Sequence, residues 1–274
     1  MPGYLLKHES IAVHGVNNLA IRSLLDRQQF FDPLGEAERR GISSASWPLF
    51  GLLWPSGAHL AARMARHPVT AGERILEIGC GLALAALVGH RRGADVTASD
   101  CHPLAGAFLL ENLRLNHLPP LPYRHGQWGH SGATDTRIAD PLQGRYDLVV
   151  GSDLLYERDA DGVLAHFIAL HTAAAAQVWV IDPDRGNRPA FTRHMAEHGF
   201  AVQEERLYAP ALPPAPRYKG RVLAYTRTLQ AQNTARAAET AEVAVLKLEL
   251  ELKLEQLVLT AAAATAATAV PAVR

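Results

Sequence analysis

The sequence is poor in the features that mark the commonest special classes of protein. Only two of its 274 residues are cysteines, Cys80 and Cys101. No disulfide framework is implied, and a reduced, cytoplasmic protein is expected. There is no basic surplus: Lys plus Arg number 27, and so do Asp plus Glu. That balance speaks against a nucleic-acid partner, whose binders usually carry excess positive charge. The opening MPGYLLKHES has no charged head followed by an apolar run, so it does not read as a signal peptide. No window reaches the length of a membrane-spanning helix, and no membrane association is expected.

Familiar catalytic sets are missing too. No Ser/His/Asp arrangement stands out. Thirteen histidines invite a metal reading, and His194 and His198 lie four apart on an expected helix. Yet HMAEH lacks the glutamate that should follow the first histidine. The histidines are read as surface residues, and no metal site is expected.

What is present is an alternation of short apolar runs and helical patterns. Arg74–Ile78 reads as a strand buried on both faces, Leu82–His90 as a helix closed by Gly93, and Asp95–Ser99 as the next strand. PLAGAFLLENLRLNHL has apolar residues at helical spacing, with Pro103 at its start. YRHGQW, RYDLVVGSD and QVWVID read as further strands, with DGVLAHFIALHTAAA and AFTRHMAEHGF as helices. AVQEERLY and GRVLAYTR end the pattern as a strand pair with no helix between them. This order predicts an α/β, Rossmann-like sheet of seven mostly parallel strands, with helices on both faces and one antiparallel strand.

The length suits one such domain with extensions. Residues 1–55 read as an N-terminal extension and cofactor-covering segment, with PSGAHLAARMARH a helix from near Ser56. RSLLDRQQFFD, within it, suits either a cover for an acceptor channel or a docking edge for the sheet. Residues 56–229 form the main domain. Residues 230–274 are an Ala/Leu/Glu-rich appendage whose LKLELELKL alternates like a strand while its residue types favour helix.

The chemistry is concentrated in ERILEIGCGLALAALVGHRRGADVTASD. In an open parallel sheet, ligands sit beyond the carboxyl ends of the central strands. Gly79 and Gly81 fall there, where glycine permits unusual backbone angles and close approach of a ligand. Asp100 ends the following strand, 23 residues after Glu77, at a distance that suits a carboxylate on ribose hydroxyls. A dinucleotide would need a third glycine where Leu84 stands, and would bring its pyrophosphate beside the negative Glu77. S-adenosylmethionine has no phosphate and carries an ammonium and a sulfonium, so Glu77 helps rather than hurts. The spacing therefore selects S-adenosyl-L-methionine as cofactor over NAD.

At these residues the chain resembles a class I (seven-strand) S-adenosylmethionine-dependent methyltransferase of the family 16, or methyltransferase-like, group, and among these a bacterial member. The resemblance runs from about Trp47 to Arg227. ILEIGCG and VTASD match the first two cofactor motifs, with Ala83 in place of the usual third small residue, glycine. LLWPSGAHLA resembles the N-terminal segment that lies over the cofactor, and GQWG the loop whose tryptophan lies near the adenine. GSDLLYERD resembles the Asp-x-x-Tyr/Phe motif that lines the acceptor channel. WPLFGLLWPSG and IDPDRGNR are what look bacterial.

The resemblance implies a cofactor set of Trp54, Glu77, Gly79, Gly81, Asp100, Trp128 and Ser152, with Asp153 and Tyr156 as the catalytic pair. Each has a plainer role beside it. Asp100 and Asp153 are also in place as helix caps, Glu77 as an acceptor for backbone amides of the turn, and Trp54 and Trp128 as core residues. An aromatic face packs on adenine or attracts a sulfonium. A carboxylate fixes an amine or guanidinium or takes its proton, and a phenol orients it.

The expected activity is N-methylation of a protein side chain, Lys or Arg, with a protein substrate as partner. A small-molecule amine acceptor is the stronger rival, since nothing marks a polypeptide groove. Base methylation is disfavoured because the place of Asn/Asp-Pro-Pro-Tyr/Phe reads SDLLY. A non-catalytic cofactor-binding module is the third reading.

Overall fold

The fold follows from where the chain places residues that are apolar on both faces. In the computed structural model, residues 3–129, 140–210, 217–229 and 253 are described. The chain divides into two units, Met1–Thr228 and Leu229–Arg274. Apart from Leu229 and Lys253, the second unit, and with it the reading of 230–274 as an appendage, lies outside the described residues.

The main sheet begins with β3 (Arg74–Ile78), β4 (Asp95–Asp100) and β5 (Tyr123–His125), and continues with β6 (Tyr146–Ser152) and β7 (Thr172–Asp182). β8 (Ala201–Ala209) and β9 (Tyr218–Arg227) complete it, in the spatial order β5-β4-β3-β6-β7-β9-β8. The first five run parallel to one another, and β9 lies antiparallel to both β7 and β8. β3 is the strand from which the order proceeds both ways, and it is buried from Ile75 to Ile78. A crevice opens at such a switch point, beyond the carboxyl ends of the strands.

Two apolar clusters hold helices to the sheet. One joins α2 (Pro55–Arg66), α3 (Leu84–Arg91) and α4 (Ala105–Leu115) to Ile75, Val96 and Ala98. The other joins α5 (Val163–His171) and α6 (Arg188–Glu197) to Leu76, Ile78, Val178 and Val180. The alternation of β3, with even and odd residues in different clusters, is what makes this a sheet covered on both faces.

The N-terminal segment has structure that its sequence pattern concealed. β1 (Leu6–Ile11) and β2 (Leu19–Leu24) form an antiparallel pair. The outer edge of β2 is not left open. Asn112 Oδ1 accepts from the Arg22 amide at 2.8 Å, and Asn116 Oδ1 from the Ala20 amide at 3.0 Å. Asn116 Nδ2 donates to the Ala20 carbonyl at 2.7 Å. Asn112 on α4 and Asn116 at its C-cap thus supply hydrogen bonds that a third strand would. A short helix α1 (Glu36–Arg39) and a 3-10 turn (Trp47–Gly51) complete the segment. Trp47 is fully buried, edge-on to Phe50 with ring centroids 5.8 Å apart.

Several element boundaries differ from expectation. α3 starts at Leu84, because Ala83 is left-handed at φ 59 and cannot belong to the helix. The alanines at 173–175 belong to β7 and not to the preceding helix, which stops at His171. Tyr146 pairs with Thr172 and Arg227 binds the Thr172 hydroxyl at 2.7 Å, so sheet pairing overrides alanine's helical preference. Only Tyr123–His125 of YRHGQW is strand; Gln127 and Trp128 turn away to line the crevice. α6 begins earlier, at Arg188, with Pro189 in its first turn.

Candidate active site

The crevice is a cavity of about 1040 Å³, and all nine site residues expected from the sequence line it. Its inner end is built by the turn after β3. Gly79, Gly81 and Ala83 are all left-handed, at φ 53, 50 and 59. A Cβ on Gly79 would lie 2.7 Å from Leu154 Cδ2 and 3.1 Å from the Trp128 ring. One on Gly81 would lie 2.7 Å from the Phe50 carbonyl oxygen. The glycines therefore let the loop after β6, the tryptophan and the N-terminal segment close on one turn.

Glu77 is buried, and its Oε2 accepts from the Ala86 amide at 2.6 Å. Ala83, in the N-cap position of α3, has no side chain able to cap, and the carboxylate from the adjacent strand does so instead. Burial pushes the Glu77 pKa up to about 8, against the opposing pull of the Ala86 and Ala85 amides. Asp100 is buried as well. Its Oδ2 accepts from the Gly81 amide and its Oδ1 from the His102 amide, each at 2.8 Å. Desolvation raises its pKa and these two amides oppose the rise. Each Asp100 oxygen keeps capacity for a further donor. Asp100 is not the cap of α4, whose N-cap is Leu104; its carboxylate instead joins the two cofactor-motif turns.

This donor set discriminates between ligands. The Ala86 amide in the first turn of α3 is spent on Glu77, which stands where a pyrophosphate would need donors. Around the bare backbone of Gly79 and Gly81 stand two buried carboxylates. The arrangement fits a cationic, phosphate-free nucleoside such as S-adenosylmethionine, and it does not fit a dinucleotide.

The roof comes from the N-terminal segment, with Arg40, Ser46, Leu49, Phe50 and Trp54 on the cavity wall. Gln127 Nε2 donates to the Arg40 carbonyl at 2.9 Å and ties the roof to the loop after β5. The Trp54 indole donates to the Leu49 carbonyl at 2.9 Å, and the Arg27 guanidinium lies 5.0 Å from its ring. Trp128 sits over Gly79 and against Phe167, with centroids 5.4 Å apart.

His102 was not among the expected residues. It is buried, stacked on Phe50 at 3.6 Å and 11°, and its Nδ1 accepts from the Leu104 amide at 3.2 Å. Burial, aided by the charge of Arg40, pushes its pKa down to about 3, so it is neutral at physiological pH. Its place two residues after Asp100 was the only available signal.

The outer end begins at Ser152 and turns at Asp153, a non-glycine at φ 58 whose amide donates to the Ile181 carbonyl at 2.9 Å. Asp153 is not the cap of α5: the Asp159 carboxylate accepts from the Val163 and Leu164 amides, at 2.9 Å each. Asp153 is instead ion-paired, its Oδ1 2.8 Å from Arg185 Nη1. The same nitrogen is 3.6 Å from Oδ2 of the fully buried Asp182, whose Oδ1 accepts from the Arg185 amide at 2.6 Å. Tyr156 stands half exposed at the mouth, its phenol pKa pushed up to about 12 by burial and then by Glu157. Asp182 and Arg185 were missed because DPDRGNR reads as a loop, and only the sheet brings the end of β7 beside the end of β6.

The comparisons with known proteins agree with the geometry. No family model matches the chain. The electron transfer flavoprotein beta subunit lysine methyltransferase of Rattus norvegicus is 28% identical over 203 residues, covering 72% of this chain and 72% of that protein. The histone-arginine methyltransferase METTL23 of Homo sapiens is 30% identical over 132 residues, covering 46% of this chain and 67% of that protein. A solved chain named "A putative sam-dependent methyltransferase from Streptococcus mutans" has the same fold at TM-score 0.50 and 11% identity. It covers 82% of this chain and 56% of that one.

Proposed function

Since the chain belongs to the class I S-adenosylmethionine-dependent methyltransferases, we propose that it N-methylates a lysine or arginine side chain of a protein. The observation that carries this reading is one cavity with two chemically distinct ends. Bare backbone and buried carboxylates form the inner end, and a carboxylate with a phenol forms the outer. The lysine and arginine specificities named for the two relatives support the same acceptor class. We read the family 16 group as its place within class I, with a bacterial source and residues 1–55 as the covering segment. Among the described residues no helix is long and apolar enough to cross a membrane. Both cysteines are free, which supports a cytoplasmic setting.

In this reading Asp100 accepts from the ribose hydroxyls while it holds the Gly81 and His102 amides. Gly79, Gly81 and Ser152 admit the ligand to the backbone, Trp54 and Trp128 flank its flat parts, and Glu77 faces its positive end. When bound, S-adenosylmethionine supplies a methyl group already activated on a sulfonium. The chain's own work is then to align the nucleophile and exclude water. Asp153 fixes the acceptor cation and takes its proton, because only a neutral nitrogen has the lone pair that attacks. Tyr156 orients the nitrogen from the mouth.

Purified protein incubated with methyl-labelled cofactor and cell lysate tests this directly. Label should enter protein bands and, after acid hydrolysis, appear as methyl-lysine or methyl-arginine. Label in small solutes alone would replace the reading with metabolite amine methylation. Retained cofactor without transfer would replace it with a binding module.

A further inference from the structure

Three charged side chains at the outer end of the cavity do not balance. Asp153 and Asp182 are two carboxylates, and Arg185 is the cation placed between them. The other arginines around the end of β7 are engaged elsewhere: Arg221 with Asp184 and Glu204, and Arg188 with Glu204. With both aspartates ionised, the trio carries one negative charge in excess.

Its bonding is also incomplete. Oδ2 of Asp153 and Oδ2 of Asp182 are buried with no hydrogen-bond partner among the described residues. Arg185 Nη1 lies 2.8 Å from Asp153 but forms no well-directed hydrogen bond with it. The contact is one of charge proximity. A buried carboxylate without a counter-ion is costly, so some cation must stand by Asp153 whenever no substrate does. Meanwhile the Arg185 backbone is pinned to Asp182 through its amide, and its side chain keeps 28% exposure. The guanidinium thus lies within reach of both carboxylates while its main chain is held.

We infer that Arg185 is the resident counter-ion of the acceptor position. It neutralises Asp153 in the empty enzyme and passes to Asp182 when a cationic side chain enters. This deepens the proposed function and rests on Asp153 being the acceptor residue. Arg185 is a positioning residue: it sets how tightly a cation is held, by exchange rather than by capture. An alkylammonium or guanidinium meets a site already holding a cation, and binds by displacing it.

The test uses n-butylammonium, a mimic of the lysine side chain, titrated by NMR into full-length protein saturated with S-adenosylhomocysteine. Arg185→Gln should bind it at least tenfold more tightly than the native protein, because the competitor is gone. Adding Asp153→Asn to that variant should abolish the gain. Asp182→Asn, which removes the second berth, should weaken binding at least threefold while leaving S-adenosylhomocysteine affinity unchanged. An Arg185→Gln protein that keeps S-adenosylhomocysteine affinity but binds butylammonium no better, or worse, overturns the inference. So does unchanged or tighter binding in Asp182→Asn, which remains decisive should the arginine variant not fold. The outcomes separate from those of the functional reading. Failure to methylate any protein, with this binding pattern intact, removes the function and leaves the exchange. Methylation without the pattern does the reverse.

Discussion

Oε2 of Glu77 receives the amide of Ala86, nine residues on, at 2.6 Å, so a strand residue caps the helix that follows it. The carboxylate is buried and its pKa is raised to about 8 by that burial. The unfolded chain should hold this proton with an ordinary pKa of about 4.3. The folded state therefore binds the proton more tightly. The resulting stability is full below the unfolded value and is lost as pH rises through about 8. Glutamine keeps a carbonyl for the Ala86 amide and cannot ionise. Between pH 5.5 and pH 8.5, urea unfolding should show Glu77→Gln gaining on the native protein by on the order of a few kcal/mol. Parallel pH dependence in the two proteins would contradict this account.

A cationic ligand beside Glu77 must favour its ionised form. Binding of S-adenosylmethionine near pH 7 should thus release part of a proton, and Glu77→Gln should release less. Calorimetry in two buffers of different ionisation enthalpy reads the number directly. Equal proton release in both proteins would mean that Glu77 does not face the ligand.

Asp100 combines two tasks that one substitution disturbs together. Its oxygens hold the Gly81 and His102 amides, and Asp100→Ala leaves both buried donors without acceptors. The variant should lose stability by about 1–3 kcal/mol. Its affinity for S-adenosylhomocysteine should fall more than tenfold, about 1.4 kcal/mol or above. Unchanged affinity in a calorimetric titration would count against the ribose contact.

Much of this site was legible because its residues are local. The strand Arg74–Ile78, the turn Gly79–Gly81 and Asp100 at the next strand end follow from apolar runs and spacing. The β1–β2 pair was not legible. Its edge is satisfied by Asn112 and Asn116, about ninety residues later in the chain, which no local pattern records. Arg185 was hidden for a related reason. Its partner Asp153 follows another strand, and only the parallel pairing of β6 with β7 sets their carboxyl ends side by side. Ala83 marks a third limit. Its sequence context favours helix, while its left-handed backbone serves the turn that Glu77 then caps.

At the outer end, Asp153→Asn should leave S-adenosylhomocysteine affinity within about twofold of native, since Asp153 stands apart from the inner wall. Methyl transfer should fall by roughly 100-fold, the lower range for a positioned proton acceptor. Loss of cofactor affinity in place of turnover would reassign Asp153 to the cofactor end.

Gly81 and Gly72 offer a controlled contrast between strain and obstruction. Both are left-handed, at φ +50 and +83, so alanine at either costs about 1–2 kcal/mol of backbone strain. A Cβ at Gly72 meets nothing within 4 Å, whereas one at Gly81 meets the Phe50 carbonyl oxygen at 2.7 Å. Phe50 belongs to the roof and is stacked on His102, so it yields only if the roof lifts. Gly72→Ala should therefore lower thermal stability and leave S-adenosylhomocysteine affinity intact. Gly81→Ala should lower both, the affinity by at least tenfold. If the two variants bound the cofactor product equally well, Phe50 would yield without disturbing the site, and the roof would have no part in closing it.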